Sequence, residues 1–289
     1  MDWNLLRGVS RSFFLTIRLL PSPVREPIAL GYLLARASDS IADTSAAEVG
    51  HRIEALQQLR VGKIATDAVA TLAEKQSVPA EAELLRRLPD LLKTLERSSA
   101  RERLEWVWAH ILRGQIFDLE RFNGSAEPLS PEELDEYTFL VAGCVGEFWT
   151  RLCAERLPGF SRQPLEELVS LGIAYGKGLQ LVNILRDRRG DAAIGRVYLP
   201  DERFAETKAR ATAGLEAGLR WVAAVDNRRV RFACLPPARI GLETLARIKP
   251  DSGPVKISRR DVRRVLVSAL PVLWSRGAAM PAPAPRRQS

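Results

Sequence analysis

Two stripes of polar residues carry the chemistry open to this chain. Gln180, Asn183, Asp187 and Asp191 are spaced by three, four and four residues, and Tyr32, Arg36, Asp39 and Asp43 by four, three and four. On a helix each set falls along one face. Asp39/Asp43 and Asp187/Asp191 therefore put two carboxylates one turn apart, about 6 Å along an axis that rises about 1.5 Å per residue. Like charges at that spacing repel, and each stripe runs beside apolar residues that favour burial, Leu33, Leu34 and Ile41 in one and Leu179, Leu181 and Ile184 in the other. A divalent cation removes the conflict. Magnesium takes one or two carboxylates together with substrate phosphate oxygens, so two such pairs predict a site for metal-bridged diphosphates. A lone Asp-x-x-x-Asp is most often a solvated helix face; it is the second pair, with its own polar neighbours, that points to metal.

The elements that must hold these stripes are helices. Apolar residues recur with helical periodicity along nearly the whole chain, and alternating strand patterns do not occur. Ser22-Pro23 marks the start of the helix carrying the first aspartate pair. Ser130-Pro131-Glu132-Glu133 and Ser258-Arg259-Arg260-Asp261 have capping-box spacing and open two more. Further helices are expected near 46–61, 80–97, 100–122, 163–190, 203–225 and 236–248, with Pro89 kinking or interrupting one of them. The segment 62–79 is ambiguous. The pattern predicts an all-α, single-domain helical bundle over residues 1–276, with a central cavity lined by the aspartate helices. The Pro-Ala-rich segment 277–289 is expected to be a disordered tail. Small residues at Val141-Ala142-Gly143-Cys144-Val145-Gly146, and at Gly172, Gly176 and Gly178, serve either tight helix packing or room for a long apolar substrate.

Composition narrows the function classes. The 289 residues hold 43 basic and 35 acidic side chains, a formal net charge of +8 spread along the chain. That balance suits anionic substrates or a membrane surface, and no nucleic-acid module accompanies it. Cys144, Cys153 and Cys234 are too few for a disulfide scaffold or a zinc site, so a reducing cytoplasm is the expected compartment. His51 and His110 are the only histidines, which leaves no basis for His-centred catalysis. Arg18 cuts the apolar run Phe13–Ile17, so it is not read as a signal peptide. No uninterrupted apolar stretch reaches about 18 residues, and no spanning helix is expected.

Ser10-Arg11-Ser12-Phe13, the run Tyr32 to Asp43, Val141 to Gly146, Asn183-Ile184-Leu185-Arg186-Asp187 and Gly195-Arg196-Val197-Tyr198-Leu199-Pro200 occur in an order that resembles the squalene/phytoene synthase family. The resemblance covers about residues 5–270. It implies the all-α isoprenoid synthase fold and head-to-head condensation of two prenyl diphosphates, with farnesyl diphosphate as substrate. It further implies that Asp39, Asp43, Asp187 and Asp191 hold magnesium. Ser10 and Arg11 match the family's N-terminal diphosphate contacts, with Phe13 in the same motif, Arg36 matches its substrate-binding arginine one turn before the first aspartate, and Val141 and Gly146 match its substrate-lining segment. Tyr32, Tyr137, Gln180 and Asn183 match polar residues at the reaction centre. Arg186 and Arg196 either neutralise phosphate or serve as ion-pair partners. Leu140 stands where a tyrosine is frequent in eukaryotic squalene synthases, which leaves open whether Tyr137 or Tyr32 assists the proton steps.

In such a reaction, loss of diphosphate gives an allylic cation, attack by the second chain gives a cyclopropylcarbinyl diphosphate, and ionisation of that intermediate sets the product. Hydride from NADPH gives squalene, water gives hydroxysqualene, and proton loss gives dehydrosqualene or phytoene. Val255-Lys256-Ile257 and Gly31-Tyr32-Leu33-Leu34-Ala35-Arg36 look more like squalene synthases. Lys256 and Arg259 are then either NADPH phosphate contacts or a solvated basic helix start. No Gly-x-Gly-x-x-Gly fingerprint is present, so NADPH would bind outside a Rossmann fold. The Asp-Asp-x-x-Asp motif of chain-elongating prenyltransferases is missing, and a non-catalytic helical assembly factor is disfavoured because both aspartate pairs are intact. Long apolar substrates also imply peripheral contact with the inner membrane surface through an apolar patch ringed by basic residues.

Overall fold

The computed structural model describes residues 1–10, 13–63, 66–125, 127–250, 255 and 257–274. The expected tail, 277–289, and two of the predicted site residues, Arg11 and Lys256, lie outside the described residues. The described residues are all-α, with no strand among them. They form two compact units, Met1–Glu127 and Pro128 onward.

The first unit holds α1 (Trp3–Ser10), α2 (Phe13–Leu19), α3 (Ser22–Ala42), α4 (Val49–Arg60), α5 (Thr66–Lys75), α6 (Pro79–Arg86), α7 (Leu88–Glu96) and α8 (Arg101–Arg121). α3 begins at the predicted Ser22-Pro23. It packs on α8, α4, α6 and α7 through Leu33, Leu34 and Ile41, which are fully buried. The indole Nε1 of Trp108 on α8 donates to the buried Ser38 hydroxyl at 3.4 Å. Fixing this apolar side of α3 fixes where its other side, Tyr32 to Asp43, must point. Pro89 interrupts as expected: α6 ends at Arg86, and the proline falls in the first turn of α7, where its missing N–H costs no helical hydrogen bond. The ambiguous segment contains a true helix, α5.

The second unit holds α9 (Pro131–Thr138), a wide π-turn (Phe139–Gly143), α10 (Cys144–Arg156), α11 (Leu165–Ala193), α12 (Phe204–Ala224), α13 (Arg228–Arg247) and α14 (Arg259–Ala269), followed by a 3₁₀ turn at Leu270–Leu273. The capping box of α9 is complete: Glu133 N–H donates to Ser130 Oγ at 3.1 Å, and Ser130 N–H to Glu133 Oε2 at 2.7 Å. At α14 the N–H of Asp261 donates to Ser258 Oγ at 3.1 Å. α13 corrects the expected start at 236. It begins at Arg228, because the Asn227 side chain accepts from the N–H groups of Arg229 and Val230 and caps the first turn. The helix then continues through Pro236-Pro237.

α11 is the spine of this unit, packed on α10, α12, α13 and the π-turn. Its length and composition pass for a membrane span, with a window of mean hydropathy 1.3. Glycines explain why it is instead the core helix. A Cβ on Gly146 would fall 1.9 Å from the Gly172 carbonyl oxygen, one on Gly176 2.2 Å from that of Ala142, and one on Gly214 2.7 Å from Gly178 Cα. Backbone meets backbone at all three crossings, so the packing reading of the small residues is realised directly.

Candidate active site

In the first unit the predicted stripe lies along α3. Arg36 pairs with Asp39 on its own helix and with Glu81 in the first turn of α6, and Ser40 Oγ donates to Glu81 Oε2 at 3.2 Å. Asp43 closes α3 in a right-handed conformation, its N–H on the Asp39 carbonyl at 2.9 Å, so its side chain stays one turn beyond Asp39. Burial, and then the Asp43 charge, push the Asp39 carboxyl up to about 6 against the opposing pull of Arg36. A carboxylate pair in that condition is an acceptor set short of positive charge, which is the fit expected of ligands for a divalent cation. Tyr32 OH donates to the Val9 carbonyl at 3.3 Å and ties the end of α1 to the middle of α3. Ser10 is buried there, its hydroxyl on the Leu6 carbonyl at 2.5 Å. Phe13 is the first residue of α2.

In the second unit Gln180, Asn183, Asp187 and Asp191 share one face of α11. Asn183 Nδ2 donates to Gln180 Oε1 at 3.4 Å. Arg186 holds Asp187 in a two-point contact, Nε to Oδ1 at 2.9 Å and Nη2 to Oδ2. Gly195, at φ +85°, turns the chain back so that Arg196 N–H reaches the Asp191 carbonyl at 2.8 Å. Both arginines thus contact the second aspartate pair, Arg186 through its side chain and Arg196 through its backbone N–H. Tyr137 is buried on α9 and stacks on Tyr198, ring centroids 5.2 Å apart and hydroxyls 3.4 Å apart. Val141 lies in the π-turn, a feature helical periodicity does not announce. Gly146 lies on α10 against Gly172, and Arg259 is exposed at the start of α14.

Among the described residues no three acidic, His or Cys side chains converge as a preformed metal cage. Each pair offers two carboxylates, the number magnesium uses when phosphate supplies the remaining oxygens. Three residues absent from the predicted set belong to these surroundings. Glu81 orients Arg36 from 45 positions away, and the only mark it leaves in the sequence is an acid after Pro79, which is ordinary at a helix start. Tyr198 partners Tyr137 and was visible in the Gly195–Pro200 motif. Asp135 receives Lys177 of α11 at 2.5 Å and Arg210 of α12 at 2.8 Å, joining three helices beside the π-turn. Cys144 is fully buried, and that burial pushes its thiol up to about 12.

Residues 6–212 match the squalene/phytoene synthase family model. The chain belongs to that family. It is a prenyltransferase-type synthase. Over 286 residues it is 30% identical to a presqualene diphosphate synthase of Rhodopseudomonas palustris, covering 95% of this chain and 87% of the relative. A bifunctional lycopene cyclase/phytoene synthase of Leptosphaeria maculans is 30% identical over 208 residues, which is 70% of this chain and 34% of that longer protein. In fold the chain is similar to a solved structure described as TcSQS in complex with the ligand BPH1237, with TM-score 0.73, 20% identity, and coverage of 94% of this chain and 87% of the other.

Proposed function

We propose that this protein condenses two molecules of farnesyl diphosphate head to head, through presqualene diphosphate, and reduces that intermediate to squalene with NADPH. The observation that carries the reading is the pair of aspartate stripes, each with its own arginine, on a chain similar over 95% of its length to a presqualene diphosphate synthase. Asp39, Asp43, Asp187 and Asp191 are the groups that would hold magnesium, which supplies Lewis-acid withdrawal of charge from the departing diphosphate. Arg36 and Arg186 each keep one of these aspartates oriented and add positive charge where diphosphate must be held. The stacked Tyr137 and Tyr198 offer hydroxyls in a water-poor setting, suited to holding a proton near a carbocation without supplying bulk water to quench it. The cytoplasm, with peripheral contact at the inner membrane surface, is the setting in which long apolar substrates and products would be exchanged.

A second reading is favoured by the same relative: the enzyme releases presqualene diphosphate and leaves its reduction to another catalyst. Incubation with farnesyl diphosphate and magnesium, with and without NADPH, separates the two. Squalene formed only with NADPH supports the first, and presqualene diphosphate under both conditions supports the second. A head-to-tail or cyclic product would sink both, and phytoene from geranylgeranyl diphosphate with no use of farnesyl diphosphate would move the chain to the family's other branch.

A further inference from the structure

The outer face of α14 and its 3₁₀ turn has a layered composition that the reaction does not explain. Its inner face is anchored: Val265, Ala269 and Val272 are buried, and Arg239 of α13 donates to the Ser268 hydroxyl at 3.0 Å. On the outer face Arg259, Arg260 and Arg263 are exposed, and among the described residues none of the three pairs with a carboxylate. Arg264, by contrast, has Glu243 at 2.9 Å and Asp261 at 3.3 Å. One turn further on the same face turns apolar, with Leu266, Val267 (58% exposed), Leu270 and Trp274 (71% exposed). We infer that this face docks on an anionic lipid bilayer, with the Leu266–Trp274 end entering the headgroup region and the unpaired arginines at the level of the lipid phosphates.

The spacing fits. Arg260, Arg263, Val267 and Leu270, at intervals of three, four and three residues, lie along one side of the helix, so a single bilayer surface can reach its cationic and its apolar residues together. Tryptophan favours that boundary because its ring is apolar and its N–H needs a polar partner. Four apolar side chains are far fewer than the roughly 20–30 residues a side of a stable protein interface, which disfavours a second copy as occupant. The inference names the element behind the peripheral contact proposed above and rests on that reading for the presence of a membrane, but not on the product.

Sedimentation of the full chain with phosphatidylcholine vesicles, plain or doped with phosphatidylglycerol, tests it. Wild type should bind the doped vesicles at low salt and lose them as salt rises. Arg260→Gln with Arg263→Gln should weaken that binding about 30-fold, from about 1 kcal/mol per arginine. Val267→Ser with Trp274→Ala should weaken it at every salt concentration, and an unchanged thermal midpoint would show that each variant is folded. Wild type that ignores both kinds of vesicle would overturn the membrane reading and this inference together. Binding that survives both pairs of substitutions would overturn this inference alone and place the contact elsewhere. Loss of self-association in the variants without a change in vesicle binding would identify the face as a protein interface and also overturn it.

Discussion

The two aspartate pairs are alike in sequence and differ in how they are held. On α11 the partner of Asp187 is its chain neighbour, Arg186, and the helix is locked by backbone contacts at Gly172, Gly176 and Gly178. On α3 the partner Arg36 is itself steered from outside the helix, by Glu81 on α6. Asp39 and Asp187 are similarly exposed, 42% and 43% of their side chains, so exposure does not distinguish them. One pair is held by features of a single helix and its close packing. The other depends on the tertiary placement of a residue remote in sequence, and the consequences for substitution differ accordingly.

The largest effect should erase the difference. Under the proposed function, Asp39→Asn and Asp187→Asn each remove one of the carboxylates that would hold magnesium against a departing diphosphate. Either should lower turnover about 10³-fold or more, roughly 4 kcal/mol of transition-state stabilisation, with the helical circular dichroism unchanged. Near-normal turnover in either variant would show that its aspartate pair is not used.

Next comes the rigidity of α11. Gly146→Ala places a methyl group 1.9 Å from a carbonyl oxygen of another helix, where nothing flexible can yield. Denaturant unfolding should show a loss of about 2–3 kcal/mol. Gly190→Ala on α11, with nothing within 4 Å of the added carbon, should instead stabilise by about 0.5–1 kcal/mol through the unfolded chain's lost freedom. Equal effects at the two sites would mean that the glycines are not there for close approach.

What could be read from sequence tracks how local the physics is. The starts of α3, α9 and α14 were legible because each rests on residues within one turn of each other. The stripes on α3 and α11 were legible because helical spacing places their members without knowledge of the fold. The start of α13 was not: the range near 236–248 missed its first two turns, which Asn227 caps, and two successive prolines are carried inside the helix. Small residues between the two stripes announced close packing, but not that Gly146 meets Gly172 and Gly176 meets Ala142. Glu81 was illegible for the same reason: its role exists only once α6 lies beside α3.

That dependence is testable at moderate amplitude. Glu81→Gln keeps the shape and deletes the charge that steers Arg36. If the α3 pair relies on it, kcat/KM for the prenyl diphosphate should fall about tenfold, near 1.4 kcal/mol, carried mainly by KM, and Glu81→Asp should restore part of it. A loss of thermal stability with unchanged kinetics would make Glu81 a structural tie only, and the contrast between the two stripes would reduce to packing.

The smallest effect sharpens the contrast from the side of stability. The Asp39 carboxyl is raised to about 6 in the folded chain, from 3.8. Between those values the folded state binds the proton more tightly than the unfolded state does, so this group's contribution falls as pH rises through the window, and the full penalty of the charge is felt above about pH 6. Asp39→Asn removes the charge. In metal-free buffer it should therefore raise the thermal midpoint at pH 7.5 by a few degrees at most, the group being partly exposed, and the gain should shrink to nothing as pH is lowered towards 4. Added magnesium should narrow the difference at pH 7.5, because it stabilises the wild type through a carboxylate that the variant lacks. A midpoint that drops on substitution at every pH would show that the Arg36 pair outweighs burial and Asp43, and that the α3 pair is already balanced without a cation.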